Sequence, residues 1–376
     1  MTVSLPEQIR RILTIRLDNI GDVVMTGPAL RALKQAYPGS HLTLMASPAG
    51  SQVAPLLPWV DDVITWRAVW QDIATNVAVV PEKEYELVAL LEQKQFDAAF
   101  IFTSFSQSPH PPAFSCYLAR IPIRVGQSKE FGGGLLTHWV RPPEDSGYQV
   151  ERNLHLLREV GVQVSSDQME LQTPLEDRHR AEAILESAGI GSGQGFIALA
   201  PGASAAARRY DEARFAQAAQ QLAAQSGLPV VLIGSQREVG RFPTLEALAG
   251  VHAGITSLIG QTSVAEMAAI IQRSALLICN NSGSMHMATA FHRPMVILYS
   301  GTEHFEQWLP KSGTMRILNR PTPCTPCHKF SCPYHLECLD VPAEEVVMHA
   351  LDLLQTSAES QTTWPMQVRA SSGGKQ

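Results

Sequence analysis

Cys279-Asn280-Asn281-Ser282-Gly283-Ser284-Met285-His286-Met287-Ala288 is the stretch from which the fold can be read. An apolar run, Ser274-Ala275-Leu276-Leu277-Ile278, leads into it and has the length of a buried parallel strand. A helical pattern covers residues 283–291, and Pro294-Met295-Val296-Ile297-Leu298-Tyr299 reads as the next buried strand. Strand, small polar loop, helix, strand is the repeat of a doubly wound sheet, which collects ligands at the C-terminal ends of its strands. Gly283 lets a ligand approach the backbone, and the helix N-terminus behind it offers free N–H groups to an anion. His286 has two readings here: a ligand contact, or a helix-face imidazole satisfied by a neighbour.

The same rhythm extends through the chain. In the first half, strands are expected at residues 11–17, 41–46, 62–66 and 96–102, with helices at 28–36, 49–57, 82–93, 148–161 and 177–188. Residues 104–112 and 131–134, rich in Ser, Pro and Gly, read as substrate loops or plain surface. The Gly/Ser-rich segment 189–195 is the best domain boundary, after which strands at 196–200, 228–233 and 256–259 alternate with helices. The expectation is an α/β protein with an N-terminal domain at 1–188, a C-terminal domain at 189–355 and a disordered tail at 356–376.

Composition narrows the function. With 376 residues, one core is too few. A net charge of −6 excludes a general nucleic-acid binder, which needs a basic footprint. No apolar run is long enough to cross a membrane and no targeting signal stands out, so the cytoplasm is expected. Cys116 and Cys279 read as small buried hydrophobes. Cys324, Cys327, Cys332 and Cys338 cluster beside His328 and His335, either as a structural zinc or iron–sulfur site or as reduced, packed thiols.

Pro201-Gly202-Ala203-Ser204-Ala205-Ala206-Ala207-Arg208-Arg209-Tyr210 follows the first strand of the second half. Neither G-x-G-x-x-G nor a P-loop occurs, which argues against a dehydrogenase or a P-loop NTPase. Small residues, a hydroxyl and two arginines before a helix suit a phosphate ester. Asp22 stands where the first strand hands over to its helix. It reads as an N-cap or as a carboxylate facing an interdomain cleft, where a general base could take a proton from a hydroxyl.

With these motifs in this order, the chain resembles glycosyltransferase family 9, the ADP-heptose:lipopolysaccharide heptosyltransferases and their relatives. The resemblance is carried by Ile12–Val24 continuing into Pro28–Leu33, by Pro201–Ser204 with Arg208–Tyr210, by Asn281–His286 and by the cysteine-rich segment. It implies a GT-B architecture, two Rossmann-like domains facing a central cleft, with the acceptor on the first and the sugar nucleotide on the second. It implies an inverting, metal-independent transfer with no cofactor beyond the donor, ADP-heptose being the expected one. Asp22 matches the general base, Ser204 and Arg208 the groups at the donor phosphates, Glu238 the acid at the ribose, and Thr262 the adenine position. Asn281, Ser282, Gly283 and His286 match an Asp-[ST]-Gly-x-x-His loop that closes over diphosphate and sugar.

Two positions depart from the pattern. Arg208 replaces a lysine, a planar fork in place of a point charge. Asn281 replaces an aspartate, losing an anion and leaving donor sugar and nucleotide open. An anionic lipopolysaccharide-core or other surface-glycan acceptor is expected along loops 104–112 and 124–138, at Arg120, Arg124 and Lys129, with peripheral association at the inner face of the membrane and no partner protein. The reading from another class is a nonenzymatic sugar-nucleotide or glycan-binding protein on a transferase scaffold.

Overall fold

A computed structural model describes residues 5–71, 78, 80–145 and 147–362. The first half runs β1 (Arg11–Arg16), α1 (Ile20–Ala36), β2 (His41–Ala46), β3 (Asp62–Thr65), α2 (Pro81–Lys94), β4 (Ala98–Ile101), α3 (His110–Leu118), β5 (Ile123–Gln127), β6 (His138–Val140) and α4 (Gln149–Glu159). The second runs α5 (Leu175–Ser187), β7 (Ile197–Ala200), α6 (Glu212–Gln225), β8 (Val230–Leu232), α7 (Pro243–Val251), β9 (Ile255–Ser257), α8 (Val264–Arg273), β10 (Leu276–Asn280), α9 (Gly283–Ala290), β11 (Met295–Leu298), α10 (Phe305–Trp308), β12 (Met315–Leu318) and α11 (Ala343–Thr362).

Each half is a six-stranded sheet, ordered β3-β2-β1-β4-β5-β6 and β12-β11-β10-β7-β8-β9, and every pairing is parallel. The two orders are the same once the second is read backwards. In each, the order reverses beside the first strand, at β1/β4 and β7/β10, which is where such sheets bind ligands. The central strands are buried on both faces, which accounts for their continuous apolar runs.

The helix expected to start at Pro28 instead starts at Ile20 and continues through that proline. A mid-helix proline costs about 3 kcal/mol. Against this, α1 buries Val23, Val24, Met25, Leu30 and Leu33, each contributing roughly 1.5–3 kcal/mol. It is apolar nearly all round because it lies between its own sheet, α4 and α9 of the other half. One apolar cluster therefore runs from Val23 and Met25 through Leu57 to Val264, Met285 and Met287, across both halves.

Other departures have local causes. Residues 49–57 form a 3-10 turn over Gly50–Leu56, and the loop at 104–112 already enters α3 at His110, with prolines in its first turn. β5 and β6 overlap the two ends of the loop expected at 124–138, because β5 hydrogen-bonds to β4 and β6 to β5 despite the polar residues there. α5, expected in the first domain, packs on α8 of the second sheet, with Glu182 Oε1 2.8 Å from Arg273 Nε. α11 continues past residue 356 to Thr362, and residues 363–376 of the expected tail lie outside the described residues.

Candidate functional site

β1 ends in Arg16, whose side chain is fully buried, an unusual position for a guanidinium. It is held by Asp18 (Nε to Oδ2, 2.9 Å), by Asp22 (Nη2 to Oδ1, 2.9 Å) and by Ser104 Oγ, which accepts from Nη2 at 2.8 Å. Asp22 lies in the first turn of α1, where Oδ2 accepts the Asn19 N–H at 3.0 Å. The N-cap is Asn19, not Asp22, which is the third residue of the helix and closes the capping box through one oxygen while Arg16 holds the other. Burial pushes the Asp18 carboxyl above its ordinary range; Arg16 pulls it down, and Asp22 adds to the rise.

On the second half, the loops after β7, β8, β9 and β10 bring Ser204, Glu238, Thr262 and residues 281–286 to one sheet edge. Asn280 ties two of them, donating to Pro201 O at 2.7 Å and accepting the Tyr210 N–H at 3.0 Å. Ser204 is exposed. Glu238 accepts from Ser235 N–H and Oγ at 2.7 and 2.8 Å, and its carboxylate lies over Gly202, where a Cβ would stand 1.5 Å from Oε1 and displace it. Arg208 donates to Glu303 (Nη2 to Oε1, 2.5 Å) and to Thr302 Oγ1 (Nε, 3.2 Å). Arg209, the second arginine of that loop, donates to Ala203 O at 3.1 Å and serves the loop itself.

Asn281 Oδ1 accepts from Ser300 N–H and Oγ, each at 3.2 Å, while its Nδ2 is buried without a partner. Ser282 Oγ lies 2.9 Å from Ser284 Oγ. Thr262 Oγ1 and His286 Nδ1 are likewise buried and unpartnered. His286 is 5 % exposed, and burial drives its pKa down to about 4, so the ring is neutral.

The two edges meet. A Cβ on Gly21 would lie 2.7 Å from His286 Cδ2, and a Cβ on Gly283 would lie 2.9 Å from Ile20 Cγ2. The space beside Gly283, expected to admit a ligand, is thus filled by Ile20. Opposite Asp22 stands Glu303: burial raises its pKa, Arg208 lowers it and the Asp22 charge raises it further. Across the interface two carboxylates, Asp22 and Glu303, therefore face each other, each held from behind by an arginine, Arg16 and Arg208.

The expected acceptor residues separate. Arg120 precedes β5 at the opposite sheet edge from Asp22, its side chain 85 % exposed and paired with Glu92. Arg124 is buried and donates to the carbonyls of Leu135, Ile121 and Gly134 at 2.7, 2.5 and 3.1 Å, so its charge braces the β5–β6 connection instead of facing an acceptor. Lys129 follows β5 on the Asp22 side and pairs with Asp145. Near it Gln307 Nε2 donates to Asp145 O at 2.6 Å, and Trp308 meets Phe105 edge-on at 6.1 Å, docking α10 on the first half.

Arg16, Glu303 and Arg152 were missing from the sequence reading. The signal for Arg16 was a cation ending an apolar strand with acids two and six residues on. Arg152 had none.

In the cysteine segment burial raises the Cys338 pKa, and the Cys324, Cys327 and Cys332 thiols lie close enough to add to the rise. Cys324 is exposed and the other three are half-buried, and among the described residues no three His, Cys, Asp or Glu side chains are placed to hold a metal ion. The segment straps the site: Cys327 N–H donates to Gly301 O at 3.0 Å, His328 N–H to Thr302 O at 2.9 Å, and Ala207 N–H to Phe330 O at 3.0 Å. It thus supports both Arg208 and the loop that carries Glu303.

Two parallel Rossmann-like sheets with strand-end loops facing each other define a GT-B glycosyltransferase fold. The family model of glycosyltransferase family 9 (heptosyltransferase) matches residues 84–337, and the chain belongs to that family; it is a glycosyltransferase. Lipopolysaccharide heptosyltransferase 2 of Salmonella typhimurium is 28% identical, over 91% of this chain and 98% of that protein. The Escherichia coli protein of the same name is also 28% identical, over 93% and 100%. Among solved structures, a family 9 glycosyltransferase from Veillonella parvula superposes with a TM-score of 0.76 at 20% identity, covering 94% of this chain and 99% of that one. E. coli ADP-heptose LPS heptosyltransferase II gives 0.72 at 23% identity, covering 93% and 99%.

Proposed function

We propose that this protein transfers heptose from ADP-heptose to a lipopolysaccharide-core acceptor by a single inverting displacement without a metal. The observation that carries the reading is Asp22, held by Arg16 on one half, facing the Arg208 cluster on the other. The first half takes the acceptor and the second half, which begins with α5, the donor. Asp22 removes the proton from the acceptor hydroxyl, whose oxygen attacks the anomeric carbon as the bond to the diphosphate breaks on the opposite face. Charge grows on the departing ADP, where Arg208, Ser204 and Ser282, the Gly283 N–H and neutral His286 offset it. Glu238 takes the ribose and Thr262 Oγ1 the base. Asn281 Nδ2, with no protein partner, donates to the donor where an aspartate could only accept.

The relatives' names, lipopolysaccharide heptosyltransferase 2, support the heptose and the acceptor class. Among the described residues no helix is long and apolar enough to cross a membrane, so we place the enzyme peripherally at the inner face, where a lipid-linked acceptor is within reach. Asp22→Ala should lower turnover by about 10²–10⁴ while ADP affinity stays unchanged. The reading falls if the variant turns over at the wild-type rate, or if GDP- or UDP-sugars stabilise the protein and ADP-heptose does not.

A further inference from the structure

Arg152 of α4 has no role in that reading, and its surroundings do not account for it. The side chain is 2 % exposed, yet no carboxylate forms an ion pair with it among the described residues, and its Nε and Nη1 meet no hydrogen-bond partner. Its guanidinium lies 4.9 Å over the Phe105 ring. A cation–π contact uses the face of the group and leaves the in-plane N–H bonds unmet. Burial brings its pKa down to about 10; Asp145 opposes this and the nearby Arg16 charge adds to it. Arg16 also has a buried, unpartnered Nη1.

Arg16 already has Asp18 and Asp22, so Arg152 is the cation without a carboxylate, and an oxyanion that meets its N–H groups and the free Nη1 of Arg16 would stabilise it. The position is next to Asp22. Ser104, which accepts from Arg16, adjoins Phe105, and Arg16 holds Asp22. Trp308 of the second half meets Phe105 edge-on, so the site borders the interface between the halves.

We propose that Arg152, with Arg16, forms an oxyanion subsite beside Asp22 that takes a carboxylate or phosphate group carried by the acceptor. Its role in orienting the acceptor rests on Asp22 being the base; the anion binding itself does not. The subsite takes the place of Arg120, Arg124 and Lys129, which the sequence offered for this purpose.

Thermal unfolding of the full chain at constant ionic strength, with phosphate replacing chloride, tests it. Phosphate at ten times its Kd should raise Tm by about 2–3 °C in the wild type. The gain should persist in Arg208→Ala, be lost in Arg152→Gln and return in part in Arg152→Lys. Acetate in place of phosphate tells which oxyanion is preferred. Arg152→Gln should be at least as stable as the wild type in chloride alone and still gain from ADP, which shows that it is folded. The proposal is overturned if the wild type gains nothing from either anion, if Arg152→Gln keeps the gain, or if that variant is less stable in chloride, as a purely structural arginine would require. A wild type that ignores ADP but responds to phosphate through Arg152 would sink the donor reading and leave the subsite standing.

Discussion

The two halves share a strand order and offer the same sheet edge to the cleft, yet the groups proposed for the reaction are in opposite states on those edges. At the end of β1 both Asp22 oxygens are occupied, one by Arg16 and one by the Asn19 N–H. Around β9 and β10, Thr262 Oγ1, Asn281 Nδ2 and His286 Nδ1 are buried with nothing to bond. Buried polar groups are normally satisfied, so a cluster of unmet ones is what a ligand site looks like when only protein is present. The first edge is built to hold one carboxylate in one place; the second is built to be completed by a donor. A reaction between substrates on opposite walls needs both, because the base must be positioned beforehand while the leaving group brings its own charge.

The contrast is broken most strongly at Arg16. Arg16→Met leaves Asp18 and Asp22 without their cation and should cost about 3–5 kcal/mol in chemical denaturation. A loss below 1 kcal/mol would mean that the carboxylates are not held as described.

His286 gives the next largest effect. Its pKa is about 4 in the fold, against about 6.5 in the unfolded chain, so below pH 6.5 protons bind the unfolded state preferentially. Stability should therefore fall by about 1.4 kcal/mol per unit between pH 6.5 and 4, approaching 3 kcal/mol in all, and be unaffected by this residue above that window. His286→Asn should flatten the slope. An unchanged slope would place the titration elsewhere.

The smallest effect sharpens the donor side. Glu303 occupies Arg208 at 2.5 Å, where a diphosphate oxygen would compete for the same guanidinium. Glu303→Gln should tighten ADP binding about tenfold by weakening that charge-assisted bond. In an Arg208→Ala background the gain should vanish. Calorimetry showing equal or weaker binding by Glu303→Gln would show that the acid orients Arg208 instead of competing for it.

Much of this was legible in the chain. The apolar runs at 274–278 and 294–299 became β10 and β11, because strands buried on both faces leave no room for polar residues. The loops around Ser204, Arg208 and residues 281–286 were readable for a related reason: small residues mark where backbone comes close to something else. What that something is was not readable. Gly283 looked open to a ligand and proved to be filled by Ile20, and Gly21 proved to be spaced for His286.

The sequence by itself therefore determined the central strands, the order of the motifs and which loops carry polar groups, all consequences of local periodicity and turn chemistry. The tertiary structure decided which charges are free. Arg124 looked like an acceptor contact and spends its donors on backbone carbonyls, while Arg152, on a helix with no signal of its own, lies buried with Nε and Nη1 unpartnered. Whether a guanidinium is satisfied depends on groups brought near it from distant parts of the chain, and no pattern of neighbours along the sequence records that.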